Sequence, residues 1–392
     1  MMLPIIRREA LLPVALIAAT LLAAGCGGGK SVRQPAVLET IESPQVDPER
    51  IWRSGRGPDT DELELGLTTA LRSDAIFTAD AHGNVFALDR AEGDPIWEID
   101  TDLRLSAGPT VEGDQVLVAS RDAEVVALSR ADGSELWRTT VSSEVVAPPA
   151  SNGEVVIVRS VDGRVSALSA EDGSQVWVTG RTVPPLTLRG MAAPLIAGPV
   201  VVSGLETGRL VAQRLSDGES AWEQSVSVPS GRSELERIAD IDAGLLLRGD
   251  TIYAMSYGGD IAALDRFNGE VRWRRAIKTY TGAALSDDGE RLYVSDEEGA
   301  VWALETSNGA AAWKSEALAW RRLSTPAVHD GFPVVADFEG YIHYLSPDDG
   351  RIVGRTRQMG ARVAAAPMVD DARLYLADVE GRLVVLGARR ED

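Results

Sequence analysis

Few residues in this chain are of the types that do covalent or metal chemistry, and their spacing argues against both. Its three histidines, His82, His329 and His343, are expected in different repeat units, at no shared repeat position. Metal ligands and general bases need partners at matched spacing, so each histidine reads as an ordinary surface or turn residue and no metal is expected. The single cysteine, Cys26, has no second thiol to pair with, and no GxSxG, HExxH, Walker or GxGxxG motif occurs. With 59 acidic residues, an Asp–Glu pair picked by eye carries no information about acid–base catalysis. The residues do offer recognition chemistry. The stretch VPPLTLRGMAAP (183–194) sets Leu186 and Leu188 on one side of an extended segment, around Thr187, with Arg189 beside them. Apolar anchors next to a guanidinium are the usual make-up of a protein-binding hot spot. A second stretch, SGRSELERIADIDAG (230–244), sets Asp240 and Asp242 around Ile241 in the same alternation. These carboxylates either meet a basic partner or hold Arg189 in its rotamer. On the residues alone two uses stay open for the leucines: sealing a gap between neighbouring sheets, or binding another protein.

Both stretches interrupt a strict repeat, and that repeat must position them. GNVFALDRAEGDPIW recurs as AEVVALSRADGSELW, GRVSALSAEDGSQVW, GRLVAQRLSDGESAW, GDIAALDRFNGEVRW, GAVWALETSNGAAAW, GYIHYLSPDDGRIVG and a truncated GRLVVLGARRED. Equivalent positions are Leu88, Leu128, Leu168, Gln213, Leu264, Leu304, Leu345 and Leu386, spaced by 40, 40, 45, 51, 40, 41 and 41 residues. A period of this size signals a β-propeller or a solenoid. VVAL and its equivalents read as short strands buried on both faces, and the DG or NG that follows makes a tight hairpin. Four residues past that glycine stand Trp97, Trp137, Trp177, Trp222, Trp273 and Trp313, expected to pack between neighbouring blades from the outermost strand. The seventh copy has Gly354 instead, which predicts its blade to be the weakest. The eighth copy lacks a Trp strand, whereas ERIWRSGRG (49–57) carries Trp52 with no repeat before it. Residues 50–56 are therefore expected to supply the outer strand of the last blade and close the ring. The prediction is an all-β, eight-bladed propeller of four-stranded blades over 50–392. The two long spacings bracket blade four. Each insert lies between a Trp strand and the next inner strand, so both should project side by side at one rim. In the second, Ser233 and Glu236 form a capping box that predicts a short helix through ELERIAD.

The first residues are targeting rather than fold. Arg7 and Arg8 precede an apolar run from Leu11 to Leu22, too short to span a bilayer and suited to a secretory signal over 1–25. LLAAGC, ending at Cys26, resembles a bacterial lipobox with Ala23 in the place usually held by Leu. The resemblance implies cleavage before Cys26 and acylation of it, which anchors the chain firmly. Gly27, rather than Asp, implies sorting to the outer membrane. Residues 26–49 read as a flexible polar tether. A formal net charge of −20 excludes a protein that grips nucleic-acid phosphates and would repel anionic lipid, so contact with a membrane falls to the lipid anchor.

Two family resemblances follow from these motifs. The Trp-bearing repeat resembles that of quinoprotein alcohol and glucose dehydrogenases, which are also eight-bladed. Those alcohol dehydrogenases resemble one another in an adjacent cysteine pair that packs on the quinone. This chain has no cysteine after position 26 and little room in forty-residue blades for a covering loop, so no cofactor is expected and fold does not fix function. Over essentially its whole length the chain resembles the BamB family, lipoprotein subunits of the bacterial outer-membrane β-barrel assembly (BAM) machine. LTLRG and RIADID are similar to that family's LTLRG and RLSDVD segments. The resemblance implies a non-enzymatic scaffold on the periplasmic face of the outer membrane. It would bind the POTRA domains of BamA through Leu186, Leu188, Arg189, Asp240 and Asp242, alongside other subunits of the complex and unfolded outer-membrane proteins. The rival expectations are a quinoprotein-like dehydrogenase and a cell-wall or carbohydrate-binding propeller. For the latter, ALAWRRLSTP (317–326), with Trp320, Arg321 and Arg322, is the candidate surface; a Trp covering a blade junction is the competing reading of Trp320.

Overall fold

In a computed structural model of the chain, the described residues run from 33 to 390, apart from 62, 64, 184–191, 228–239, 242, 258, 364–365 and 371. Cys26 with the signal, Leu186, Leu188, Arg189 and Asp242, and the helix expected after Ser233 all lie outside them. Among the described residues, eight antiparallel sheets follow one another at 69–100, 105–140, 150–180, 195–225, 246–276, 283–315, 327–357 and 368–390. These are blades one to eight. Blades one to seven run from an innermost to an outer strand in chain order, whereas blade eight takes its outer strand from the N-terminal side of the chain. The apolar VVAL runs predicted as strands are the third of each blade, and an equally apolar second strand pairs with each. In blade two, Val116–Ala119 and Val125–Leu128 are buried throughout, because each sheet is covered on both faces by its neighbours. Outer strands alternate instead: in Glu135–Thr140 only Trp137 is buried.

The core therefore lies between sheets. Eight apolar clusters fill the eight junctions. One joins Phe77 and Val85 of blade one to Val116 and Val126 of blade two; another joins Tyr375 and Val385 of blade eight to Ile76 and Leu88 of blade one, completing the ring. The tryptophans close these junctions at the periphery with a bond as well as with area. Trp137 Nε1 donates to the Ala170 carbonyl of blade three at 2.9 Å, and Trp177 to Leu215 of blade four at 2.7 Å. Trp97, Trp222, Trp273 and Trp313 repeat the contact at 2.7–3.1 Å. The hairpin glycine of the next blade lies against the ring face. A Cβ added to Gly173 would stand 2.6 Å from Trp137. That glycine is needed twice, for its φ of +72° and for its missing side chain.

Ring closure follows the expected plan with two corrections. The N-terminal strand is Val46–Ser54, longer at its start than residues 50–56, and it pairs antiparallel with Leu383–Arg390. Trp52 donates to the Arg90 carbonyl of blade one at 3.1 Å, so it does the work of the missing eighth Trp. Gly354 does not leave its junction weak. Val46, 1% exposed, packs there with Tyr344, Val353, Leu374 and Val384, and a Cβ on Gly354 would stand 2.7 Å from the Val46 carbonyl oxygen. The glycine makes room for the closing strand. Residues 36–45, expected as tether, lie against blades six and seven: the amides of Ala36 and Gln45 donate to Ala319 and Val353, and Arg321 and Arg355 donate to the carbonyls of Ala36 and Glu39 at 2.9–3.0 Å. One feature had no sequence signal. Gly66–Leu67 adds a short parallel strand to the innermost strand of blade two, with Leu67 buried.

Gly173→Ala should destabilise the chain by about 1–3 kcal/mol more than Gly153→Ala, the usual cost of overpacking. Both glycines have positive φ, but a Cβ at Gly153 meets nothing within 4 Å. Urea-unfolding midpoints of the two variants measure the difference; equal losses would show that the indole contact contributes nothing.

Candidate functional site

The two inserts are equivalent connections in successive sheets. The first links the outer strand of blade three, Gln175–Gly180, to Leu195–Ala197 of blade four; the second links Ser220–Ser225 of blade four to Leu246–Arg248 of blade five. Outer strands of successive blades run the same way, so both connections leave from one face of the ring. Their described ends are mounted on the turns between second and third strands. At the first, the Arg181 amide donates to Gly163 at 3.1 Å, and Val183 lies where a Cβ on Gly163 would come within 2.5 Å. At the second, the Val226 and Ser227 amides donate to Gly208 at 2.9 and 3.0 Å. Its far end returns to the same turn, where the Ile241 amide donates to Leu205 at 3.3 Å. Ile241 is buried against Gly204, which has no side chain to obstruct it. Asp240 is 1% exposed, and its carbonyl accepts the Tyr257 amide of blade five at 2.8 Å. Of the five residues expected to bind a partner, Asp240 is the one described, and it is an inward-facing support of its segment. Across the junction of blades three and four Arg181 pairs with Glu223 at 2.8 Å, and Arg209 meets the other oxygen of that carboxylate at 2.9 Å.

The second candidate surface changes character. Arg321 is buried, donating to Asp337 at 2.6 Å and pairing with Glu339. Trp320 is half-buried, its amide bonded to Glu298 of blade six at 2.7 Å, while Phe338 of blade seven donates to the Arg321 carbonyl. This segment spans a blade junction, and of its two arginines only Arg322 is exposed.

Two histidines also depart from expectation. His329 and His343 share blade seven instead of falling in different repeat units, and both are fully buried rather than on the surface or in turns. His329 Nε2 donates to the Ala372 carbonyl of blade eight at 2.8 Å, and its Nδ1 accepts the Tyr344 hydroxyl at 2.7 Å. His343 Nε2 donates to Asp337 at 2.9 Å while its Nδ1 accepts from Arg355 at 3.2 Å. Burial lowers both imidazole pKa values. Burial pushes the Asp337 carboxyl up, but the His343 and Arg321 hydrogen bonds outweigh it and hold the group below the usual carboxylate range. Each histidine is thus a neutral structural link. Among the described residues no group of three or more His, Cys, Asp or Glu side chains is placed to hold a metal ion.

Comparison with known proteins gives a consistent family. Residues 81–315 match a family model described as outer membrane protein assembly factor BamB. The outer membrane protein assembly factor BamB of Alkalilimnicola ehrlichii is 50% identical over 321 residues, 82% of each chain. The crystal structure of BamB from Moraxella catarrhalis superposes with a TM-score of 0.76 at 24% identity, covering 88% of this chain and 99% of that one. A quinohemoprotein alcohol dehydrogenase from Comamonas testosteroni shares the fold at 14% identity, with a TM-score of 0.68 over 88% of this chain and 78% of that one.

The buried histidines set a pH dependence. Their folded pKa values lie below the ordinary value of about 6.5, so below that pH the unfolded chain binds protons that the folded chain does not. Stability is full above the unfolded pKa and falls as the pH drops through it toward the lowered folded values. The urea midpoint should decrease between about pH 7.5 and 5.5, a window above the carboxylate range, and His329→Gln should flatten the decrease. A midpoint that is constant over that window in the unsubstituted chain contradicts the assignment.

Proposed function

The chain belongs to the BamB family of outer membrane protein assembly factors, and from that premise we propose that it is a non-catalytic scaffold docking on BamA through the rim around blade four. Leu186, Leu188 and Arg189 make the contact with the POTRA domains. Asp242 joins them at the partner, and Asp240 supports the second segment from inside. The observation that carries this reading is the mounting: both segments with recognition chemistry spring from one face, and both ends of the second rest on a single turn of blade four, Leu205–Gly208. A partner that engages both would meet a composite surface rather than two separate loops, the arrangement in which a few central anchors supply most of the affinity. The acylated Cys26 holds the chain to the periplasmic face of the outer membrane, where it works with the other BAM subunits and helps orient unfolded outer-membrane proteins. The dehydrogenase reading is supported by fold alone, and fold hosts many functions.

Arg189→Glu should weaken binding to a soluble BamA POTRA fragment by about 2 kcal/mol or more, roughly 30-fold, on the scale of a hot spot. Calorimetric titration measures it, with circular dichroism to establish that the variant is folded. Unchanged affinity in the folded variant would remove Arg189 from the interface.

A further inference from the structure

One junction of the ring differs from the others beneath the rim. At the rim end of the second strand, blades carry small or uncharged residues facing the next blade, from Ala79 and Ala119 to Ala336 and Ala377. At the same register position blade three carries Arg159, opposite Val165. Its side chain is 6% exposed and pairs across the junction with Glu206 of blade four, itself largely buried. Among the described residues the buried Arg159 Nη1 has no hydrogen-bond partner. A buried charge with an unused donor is a poor way to gain stability; a well-packed apolar pair does as well or better. What the pair does provide is a fixed relation between two turns. Arg159 directly precedes the turn 160–163, on which the first insert begins through Arg181 and Val183. Glu206 lies within the turn Leu205–Gly208, on which the second insert begins through Val226 and Ser227 and ends through Ile241.

We propose that Arg159 and Glu206 are positioning residues that lock the mounting turns of the two rim segments in register, so that a partner meets both as one surface. The partner is a protein domain that needs both segments at once. This rests on the docking reading above, and the pair acts through the segments without touching the partner. The more accessible Arg181–Glu223–Arg209 contact crosses the same junction and is partly screened by solvent, so the buried pair sets the register.

The test uses the detergent-solubilised full chain. R159M/E206M replaces the pair with apolar side chains of similar length. It should melt within about 3 °C of the unsubstituted chain yet bind the POTRA fragment roughly 10-fold more weakly, and the conservative E206D should recover most of that loss. Unsubstituted affinity in the double variant overturns the proposal. If the double variant does not fold, E206Q decides by amide hydrogen exchange. The Arg181, Val226 and Ile241 amides, bonded to the two turns, should exchange faster while amides of blades six to eight do not change. No local change overturns the proposal. Should the unsubstituted chain fail to bind the fragment, the docking reading falls, and the exchange measurement still decides the role of the pair.

Discussion

The fold depends on one repeated contact: an indole N–H from an outer strand reaching the carbonyl at the end of the next blade's third strand, with the ring lying on a glycine that has no Cβ to obstruct it. A four-stranded blade cannot bury its two apolar faces by itself. Stacked side by side, eight of them form eight cores with no free sheet faces, and the indoles fix the spacing of the stack at its widest radius. The contact is directional as well as apolar. That is why the residue opposite each Trp is constrained to glycine in a turn that already requires positive φ.

Once the outer edge is rigid, the connections at the rim are free to vary in length. Most are short and are held by the same backbone bonds from blade to blade. Around blade four two of them are enlarged without disturbing the strands that carry them, the usual way in which function is added to a stable scaffold. The ring closure solves a different problem. The chain's first strand joins blade eight and packs against blade seven, where Gly354 stands in place of an indole and Val46 fills the junction. Around that seam the chain is also polar inside. Arg321, Asp337, His343 and Arg355 form a continuous hydrogen-bonded chain that reaches the carbonyls of Ala36 and Glu39.

Much of this was legible in the sequence because it is periodic and local. DG turns and blade tryptophans carry their meaning within a dozen residues, and the forty-residue repeat supplies the frame in which the displaced Trp52 matches the copy that lacks its Trp strand. The single-copy departures were misread for the opposite reason. Gly354 looked like a loss because its compensating partner, Val46, lies some three hundred residues earlier. His329 and His343 looked superficial because their burial comes from neighbouring sheets and their partners from Ala372, Asp337 and Arg355. Residues 36–45 looked like tether because nothing in their composition reveals the arginines waiting in blades six and seven. Arg159 does carry a signal in the sequence: it is a charged residue in an otherwise apolar run, VVIVR, at a position where the other copies are uncharged. For the rim, the lengths of the inserts and their position in the repeat located the segments, while the inward orientation of Asp240 required its neighbours in blade five.

The central claim is that the two rim segments around blade four act as one docking surface. Hydrogen–deuterium exchange of the chain with and without BamA POTRA domains tests it directly. Protection should fall on residues 181–194 and 226–245 together and nowhere on the opposite face. Protection centred on the hairpin turns that hold Gly93, Gly133 and Gly173, or on only one of the two segments, would contradict the account.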